Sequence, residues 1–315
     1  MPNPTARRRR RRHATLALAS IAVAACGLTS CDATTAKNAQ SATTAPRTSA
    51  TASSASPTAT TAAQPSLHMI TNRGHRLAFY VTPGHGPAIV LDAGGGLDAS
   101  YWKKIVPVLA KQTRSEIITY DRTGEGRSSD VPGPWRAQNA ASDLAAGLTQ
   151  LGVTKNVVLV SHSLAGEIAT YFVRQHPHWI AGAVLVDASL PEFYTDGETA
   201  KLVAGNEQQI AALKKKPQTR ATRQLLAEAD HYGPVHRAYH KLSWPQSVPA
   251  TAIVSAKTPF PTPVDAQLWR QAQQEFVSAA PNRRLVVADR SSHDIPIDRP
   301  DVVIKTIEDM ANQVR

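Results

Sequence analysis

Cysteine is nearly missing from this sequence: there are two, Cys26 and Cys31, and none in the 284 residues after them. A domain built from the rest needs no disulfide and cannot misoxidise outside the cell. Acidic residues are missing before Asp32, while residues 7–12 are six arginines in a row. Long hydrophobic runs are missing too. The apolar stretch after the arginines, with Leu16, Leu18, Ile21 and Val23, falls far short of the roughly 20 residues of a membrane-spanning helix. Between Asp32 and Leu67 there is no aromatic residue and no Leu, Ile or Val. Such a tract cannot bury enough apolar surface to offset its ordering entropy. Residues 32–66, mostly Ala, Thr, Ser and Pro, read as a flexible tether. Internal repeats are absent from residues 67–315.

A basic start, a short apolar run and small residues together form a secretory signal over residues 1–31. The leader resembles those of bacterial lipoprotein precursors. "VAAC" at 23–26 and "LTSC" at 28–31 each look like the four-residue box whose cysteine takes the lipid. Cys31 is favoured over Cys26 because Asp32 and the polar tract follow it directly. The resemblance implies a lipid anchor on the extracytoplasmic face of the cell membrane; a signal that is simply cleaved implies a secreted protein. Removing the six arginines lowers the formal charge from +11 to +5. That is an ordinary soluble surface and points to no nucleic-acid partner.

From about Leu67 to Arg315 short apolar runs alternate with helical patterns. Strands are expected at 77–82, 88–92, 116–121, 156–161, 180–189, 250–256 and 283–290. Helices are expected at 101–112, 140–152, 164–176 and from Pro300 to the end. Apolar strands separated by helices imply a mostly parallel sheet covered on both faces. The stretch at about 192–245, between the strands at 180–189 and 250–256, is long, charged and mostly helical. It reads as a cap inserted after the sixth strand.

"LVSHSLAGEIA" at 159–169 carries the chemistry. An apolar strand reaches Ser163, and a helix begins at once. A turn this tight needs small residues two before and two after the serine, here Ser161 and Ala165. It exposes the hydroxyl at the carboxyl end of the sheet and frees the N–H of Leu164. With this stretch, residues 67–315 resemble the α/β-hydrolase family, and "SHSLAG" stands where members commonly carry G-H-S-x-G-G. The resemblance implies an α/β-hydrolase fold. It also implies a second N–H donor after the strand at 88–92, where "LDAGGG" places Gly94. "YDRTGEGRSS" at 120–129 resembles a family turn in which Asp121 and Arg122 fix loops.

A serine hydroxyl is a weak nucleophile until a base takes its proton. Of eleven histidines, His293 fits the family pattern, in "ADRSSHDIPIDRPDVV" before the last helix. His162 is expected to pack with its ring away from the hydroxyl. His236 and His240, spaced four apart, lack the glutamate of a zinc motif and are expected on a solvated cap helix. The acid of the family commonly follows the strand at 250–256, where nothing acidic occurs before Asp265. Some members carry it at the end of the preceding strand, where Asp187 stands. Asp187 is preferred, with Asp265 as the alternative.

These residues imply an exported serine hydrolase that cleaves an ester or amide by acyl transfer, without metal or organic cofactor. A small or medium apolar substrate is expected, with Phe193, Tyr194, Trp244 and the loop at 259–261 as candidate pocket walls. The alternative is a hydrolase-fold lipoprotein that binds a ligand without turnover. The small side chains that replace glycine at the elbow, and the missing acid after the strand at 250–256, favour it.

Overall fold

A computed structural model describes residues 64–130 and 133–315. The leader, both cysteines and nearly all of the expected tether lie outside them. Eight strands form one sheet: β1 (Ser66–Asn72), β2 (His75–Thr82), β3 (Ala88–Asp92), β4 (Ile117–Asp121), β5 (Val157–His162), β6 (Ile180–Val186), β7 (Ala250–Ser255) and β8 (Arg283–Ala288). Their order is β1-β2-β4-β3-β5-β6-β7-β8. The first two are antiparallel, β2 joins β4 antiparallel, and every pairing beyond β4 is parallel. The expected mostly parallel sheet is therefore present.

β1 was not anticipated. Only Ile70 of its seven residues is buried, so no apolar alternation announces it. Its register is set by the turn into β2, where Arg73 and Gly74 both take positive φ, 46° and 81°. A two-residue hairpin turn with that geometry matches the twist of the strands.

The helices are α1 (Val106–Thr113), α2 (Ala137–Gln150), α3 (Ala165–Gln175), α4 (Asp196–Lys214), α5 (Arg220–Ala229), α6 (Tyr232–His240), α7 (Pro263–Ser278), α8 (Ile295–Asp298) and α9 (Pro300–Gln313). On one face Leu109 of α1 and Val303 and Ile307 of α9 pack with Ile89, Leu91, Val158 and Val160. On the other, Leu144 of α2 and Ile168 and Phe172 of α3 pack with Val90, Val157 and Leu159. Successive strand residues thus enter opposite cores, which is why the strands read as continuous apolar runs. Each fully buried aliphatic side chain contributes about 1.5–3 kcal/mol.

Expected and observed elements differ in three further places. The run at 101–112 begins as a 3-10 turn, Ala99–Trp102, and becomes α-helical only at Val106. β6 stops at Val186, because Asp187 takes φ of 42° and turns the chain. Residues 263–278, with no expected element, form α7, started by Thr262, whose hydroxyl accepts the Asp265 N–H. The insertion between β6 and β7 holds α4, α5 and α6, so it is helical as expected.

Candidate active site

β5 delivers Ser163 to the carboxyl edge of the sheet, and α3 starts two residues later. The serine sits in the left-handed region, φ 54°, a conformation that costs an L-residue about 1–3 kcal/mol and persists only where its surroundings hold it. They do so here. The Ser163 N–H donates to Val186 O (3.2 Å), and Ser163 O accepts from the N–H groups of Gly166 and Ser189 (both 2.9 Å). Ser161 and Ala165 are fully buried, so the elbow closes with a Cβ at both. The glycine it needs is Gly166: a Cβ there would strike the carbonyl oxygen of Ser189.

His293, in the loop after β8, reaches back over the elbow. Its Nε2 lies 2.8 Å from Ser163 Oγ, and its Nδ1 lies 2.7 Å from Asp187 Oδ2. A carboxylate only accepts, so Nδ1 carries the ring proton and donates it. That leaves Nε2 as acceptor for the serine O–H. Asp187 is fully buried. Its Oδ1 also accepts from Trp269 Nε1 (2.9 Å) and the Ser255 N–H (3.1 Å), and its Oδ2 from Ser255 Oγ (2.7 Å). Burial pushes this carboxyl up, but His293, Ser255 and Trp269 together outweigh it and hold it below the usual carboxylate value. Asp265 is elsewhere, bonded to Lys201 and Thr262 at the start of α7. Ser163, His293 and Asp187 are brought together; Asp265 is not.

Gly94 lies against the serine. A Cβ at Gly94 would fall 3.2 Å from Ser163 Cβ and 2.8 Å from His162 Nδ1, so only glycine fits. The N–H groups of Gly94 and Leu164 make no hydrogen bond to another described residue. The loop is clamped by Arg122, whose guanidinium donates to Asp92 Oδ1 (2.6 Å), Ala93 O (2.5 Å) and Gly94 O (2.5 Å). Asp121 accepts from Tyr80, Ala99 N and Arg127 N. Both residues fix loops, as expected.

Residues 89–306 match the alpha/beta hydrolase family profile. The chain belongs to this family. Among curated relatives, the pimeloyl-(acyl-carrier protein) methyl ester esterase of Sodalis glossinidius is 36% identical over 121 residues, 38% of this chain and 44% of that one. A non-heme haloperoxidase of Rhodococcus erythropolis is 35% identical over 114 residues, 36% of this chain and 41% of that one. An uncharacterized Mycobacterium tuberculosis protein is 32% identical over 126 residues, 40% of this chain and 36% of that one. The matched segment thus spans less than half the length of these relatives. Among solved structures, an esterase from Thermogutta terrifontis aligns with a TM-score of 0.54 at 22% identity, covering 80% of this chain and 99% of that one. A Bacillus anthracis bromoperoxidase aligns at 0.59 and 18%, covering 79% and 99%. Both likenesses are of fold.

The other histidines of this hydrolase-fold chain divide. His162 is buried and donates from Nε2 to the His293 carbonyl (3.0 Å), so it steadies that loop. Burial, then the neighbouring His293, pushes it down to about 3, so the ring is neutral. His236 is not solvated, contrary to expectation. It is buried between the rings of Tyr232 and Tyr194, with Nε2 3.0 Å from Glu167 Oε1. His240 lies 2.8 Å from Pro191 O through Nδ1. The expected apolar pocket walls are core instead. Phe193, Phe260 and Trp269 pack on one another, Tyr194 packs on Phe193, and Trp244 packs on Phe276. Ser255 and Trp269, which hold Asp187, were not anticipated; nothing local in the sequence marks them.

Proposed function

We propose that this chain is a serine hydrolase that cleaves an ester or amide through an acyl-enzyme. The observation that carries the reading is the hydrogen-bonded series from Ser163 Oγ through the His293 ring to Asp187, at a strand–turn–helix junction with two unengaged N–H groups beside it. His293 Nε2 takes the Ser163 proton as Oγ bonds to the carbonyl carbon. The electron pair moves onto the carbonyl oxygen, which the N–H groups of Gly94 and Leu164 stabilise. Removing one such donor typically costs about 3–4 kcal/mol of transition-state stabilisation. Asp187 keeps the ring tautomer and stabilises the imidazolium. Nε2 then returns the proton to the departing oxygen or nitrogen. Water, losing its proton to Nε2, then bonds to the acyl carbon; the bond to Ser163 Oγ breaks, and Nε2 returns the proton to Oγ as the acid leaves. The name of the Sodalis relative, a methyl ester esterase, supports the ester class.

The test is intact-mass analysis after a fluorophosphonate, with Ser163→Ala in parallel. One adduct on the wild type and none on the variant is the expected result. No adduct on either would remove the hydrolase reading and leave a ligand-binding protein.

We propose further that residues 1–31 export the protein, that Cys31 or Cys26 carries a lipid, and that residues 32–66 tether residues 67–315 to the membrane. Support comes from the leader's sequence pattern.

A further inference from the structure

Charge is spread unevenly over the cap. Residues 208–227 contain five cations, Lys214, Lys215, Lys216, Arg220 and Arg223, and no acid. Lys214 ends α4, and Lys215 and Lys216 follow it on the way to α5. All three lysines are exposed, and no carboxylate of a described residue pairs with them. Arg220 and Arg223 share Asp130, at 2.8 and 2.6 Å. Beside the lysines lies an open furrow of about 440 Å³. Ile210, Leu226, Ala227 and Ala229 wall it, with Lys214 and Arg223 among them. Its one lining acid, Asp230, lies 2.8 Å from His231 Nδ1.

This basic tip is contiguous with the place where the chain enters the fold. The Arg220 guanidinium donates to the carbonyls of Gly126 (2.6 Å) and Ser128. Gly126 and Arg127 line a second cleft together with Gln64, Pro65 and Lys103. Gln64 is the first described residue. Lys103 and Arg127 are exposed and have no carboxylate partner among the described residues. The acids of this cleft are Asp98 and Asp121. Asp121 is buried and already accepts from Tyr80, Ala99 N and Arg127 N. Cations therefore run from the point where residues 1–63 join the domain to the α4–α5 connection, and an apolar furrow opens beside them. A single small anion would need donors that converge on one point, and these are strung out. A bilayer of anionic phospholipid offers many phosphates in one plane with acyl chains beneath, which matches both the charge and the furrow.

We infer that this face docks on anionic phospholipid headgroups of a membrane. The docking rests on the anchor proposed above for nearness to a bilayer, not for its chemistry. A coil of about 30 residues between Cys31 and Gln64 would span about 30 Å, which keeps the face at high effective concentration beside the lipid. Each cation near such a surface is worth roughly fivefold in binding, and salt screens it beyond about 8 Å at physiological ionic strength. The face therefore orients an anchored domain without retaining a released one.

Lysine acetylation read by mass spectrometry tests this, on the full chain with Cys26 and Cys31 changed to Ala, at low ionic strength. The leader's arginines hold this chain on vesicles that contain phosphatidylglycerol, so the pattern over the domain is what the lysines report. Relative to vesicles of phosphatidylcholine alone, Lys103 and the lysines at 214–216 are expected to slow at least about fivefold, while Lys155 and Lys305 stay within about twofold. Changing Lys214, Lys215 and Lys216 together to Gln should return Lys103 to within about twofold of its rate with phosphatidylcholine. Unaltered rates at Lys155 and Lys305 then report an intact fold. Uniform slowing of every lysine, no slowing at the cap, or full protection of Lys103 in the triple variant would overturn the docking. The same pattern produced without vesicles, by glycerol phosphate or by RNA, would overturn it too, and would assign the cations to a free anion or a polyanion. No arm of the test involves turnover or a lipid on cysteine, so the hydrolase and anchor readings fail or stand separately.

Discussion

Asp187 has a left-handed backbone, complete burial and three side chains bonded to its carboxylate. Replacing it with Asn keeps the shape but sets an amide against His293 Nδ1, Trp269 and Ser255, all of which donate. The ring is then free to move its proton to Nε2, where it can no longer accept from the serine. Asp187→Asn is expected to lower kcat by roughly 10⁴-fold, as loss of the orienting carboxylate does in such an arrangement. Asp265→Asn, acting only at the start of α7, is expected to stay within about threefold of wild type. Turnover of an activated ester by both variants checks this; equal losses would remove Asp187 from the mechanism. The residues that could be read from sequence were those announced by local punctuation. Ser163 and Leu164 stand at a strand–turn–helix junction, Gly94 follows a strand, and His293 precedes the last helix. The choice between Asp187 and Asp265 was not settled by pattern, because it depends on which carboxylate the imidazole reaches in space.

Among the elements, α5 departs most from what its composition suggested. Its buried residues are Thr222, Gln224 and Glu228, so it docks through a polar face. A charged, helical insertion could be recognised in sequence. Which of its polar side chains point inward could not, since the charge that counters Glu228, that of Arg122, comes from a distant part of the chain. This docking has a pH signature. The carboxyl of Glu228 ordinarily ionises near 4.5 and in the folded protein near 7. Between those values the unfolded chain loses the proton while the folded one keeps it, so stability falls as pH rises through this window. At about 1.36 kcal/mol per unit, the loss amounts to roughly 3 kcal/mol. Denaturant titrations from pH 4.5 to 8 should show this fall in the wild type and a flatter profile in Glu228→Gln. Parallel profiles would mean that the carboxyl ionises as readily folded as unfolded.

For the whole molecule, the proposed anchor makes a prediction that is separate from the chemistry. One acyl chain binds a membrane only marginally, so the several chains implied by the leader's resemblance to bacterial lipoproteins would be needed to hold the protein. It should sediment with membranes and be released when Cys26 and Cys31 are both changed to Ala, with fluorophosphonate labelling retained. Wild-type mature protein found wholly in the culture medium would rule out the lipid. The sheet also has a history in time. Ser163 is made 130 residues before His293, and Ser255 and Trp269, which steady Asp187, also come after it. At a synthesis rate of about 5–20 residues per second, the hydroxyl waits roughly 6–26 s for its base. On the proposed mechanism, a nascent or truncated chain that ends before β8 would carry the serine without its base. Reactivity would arrive only once synthesis has passed His293.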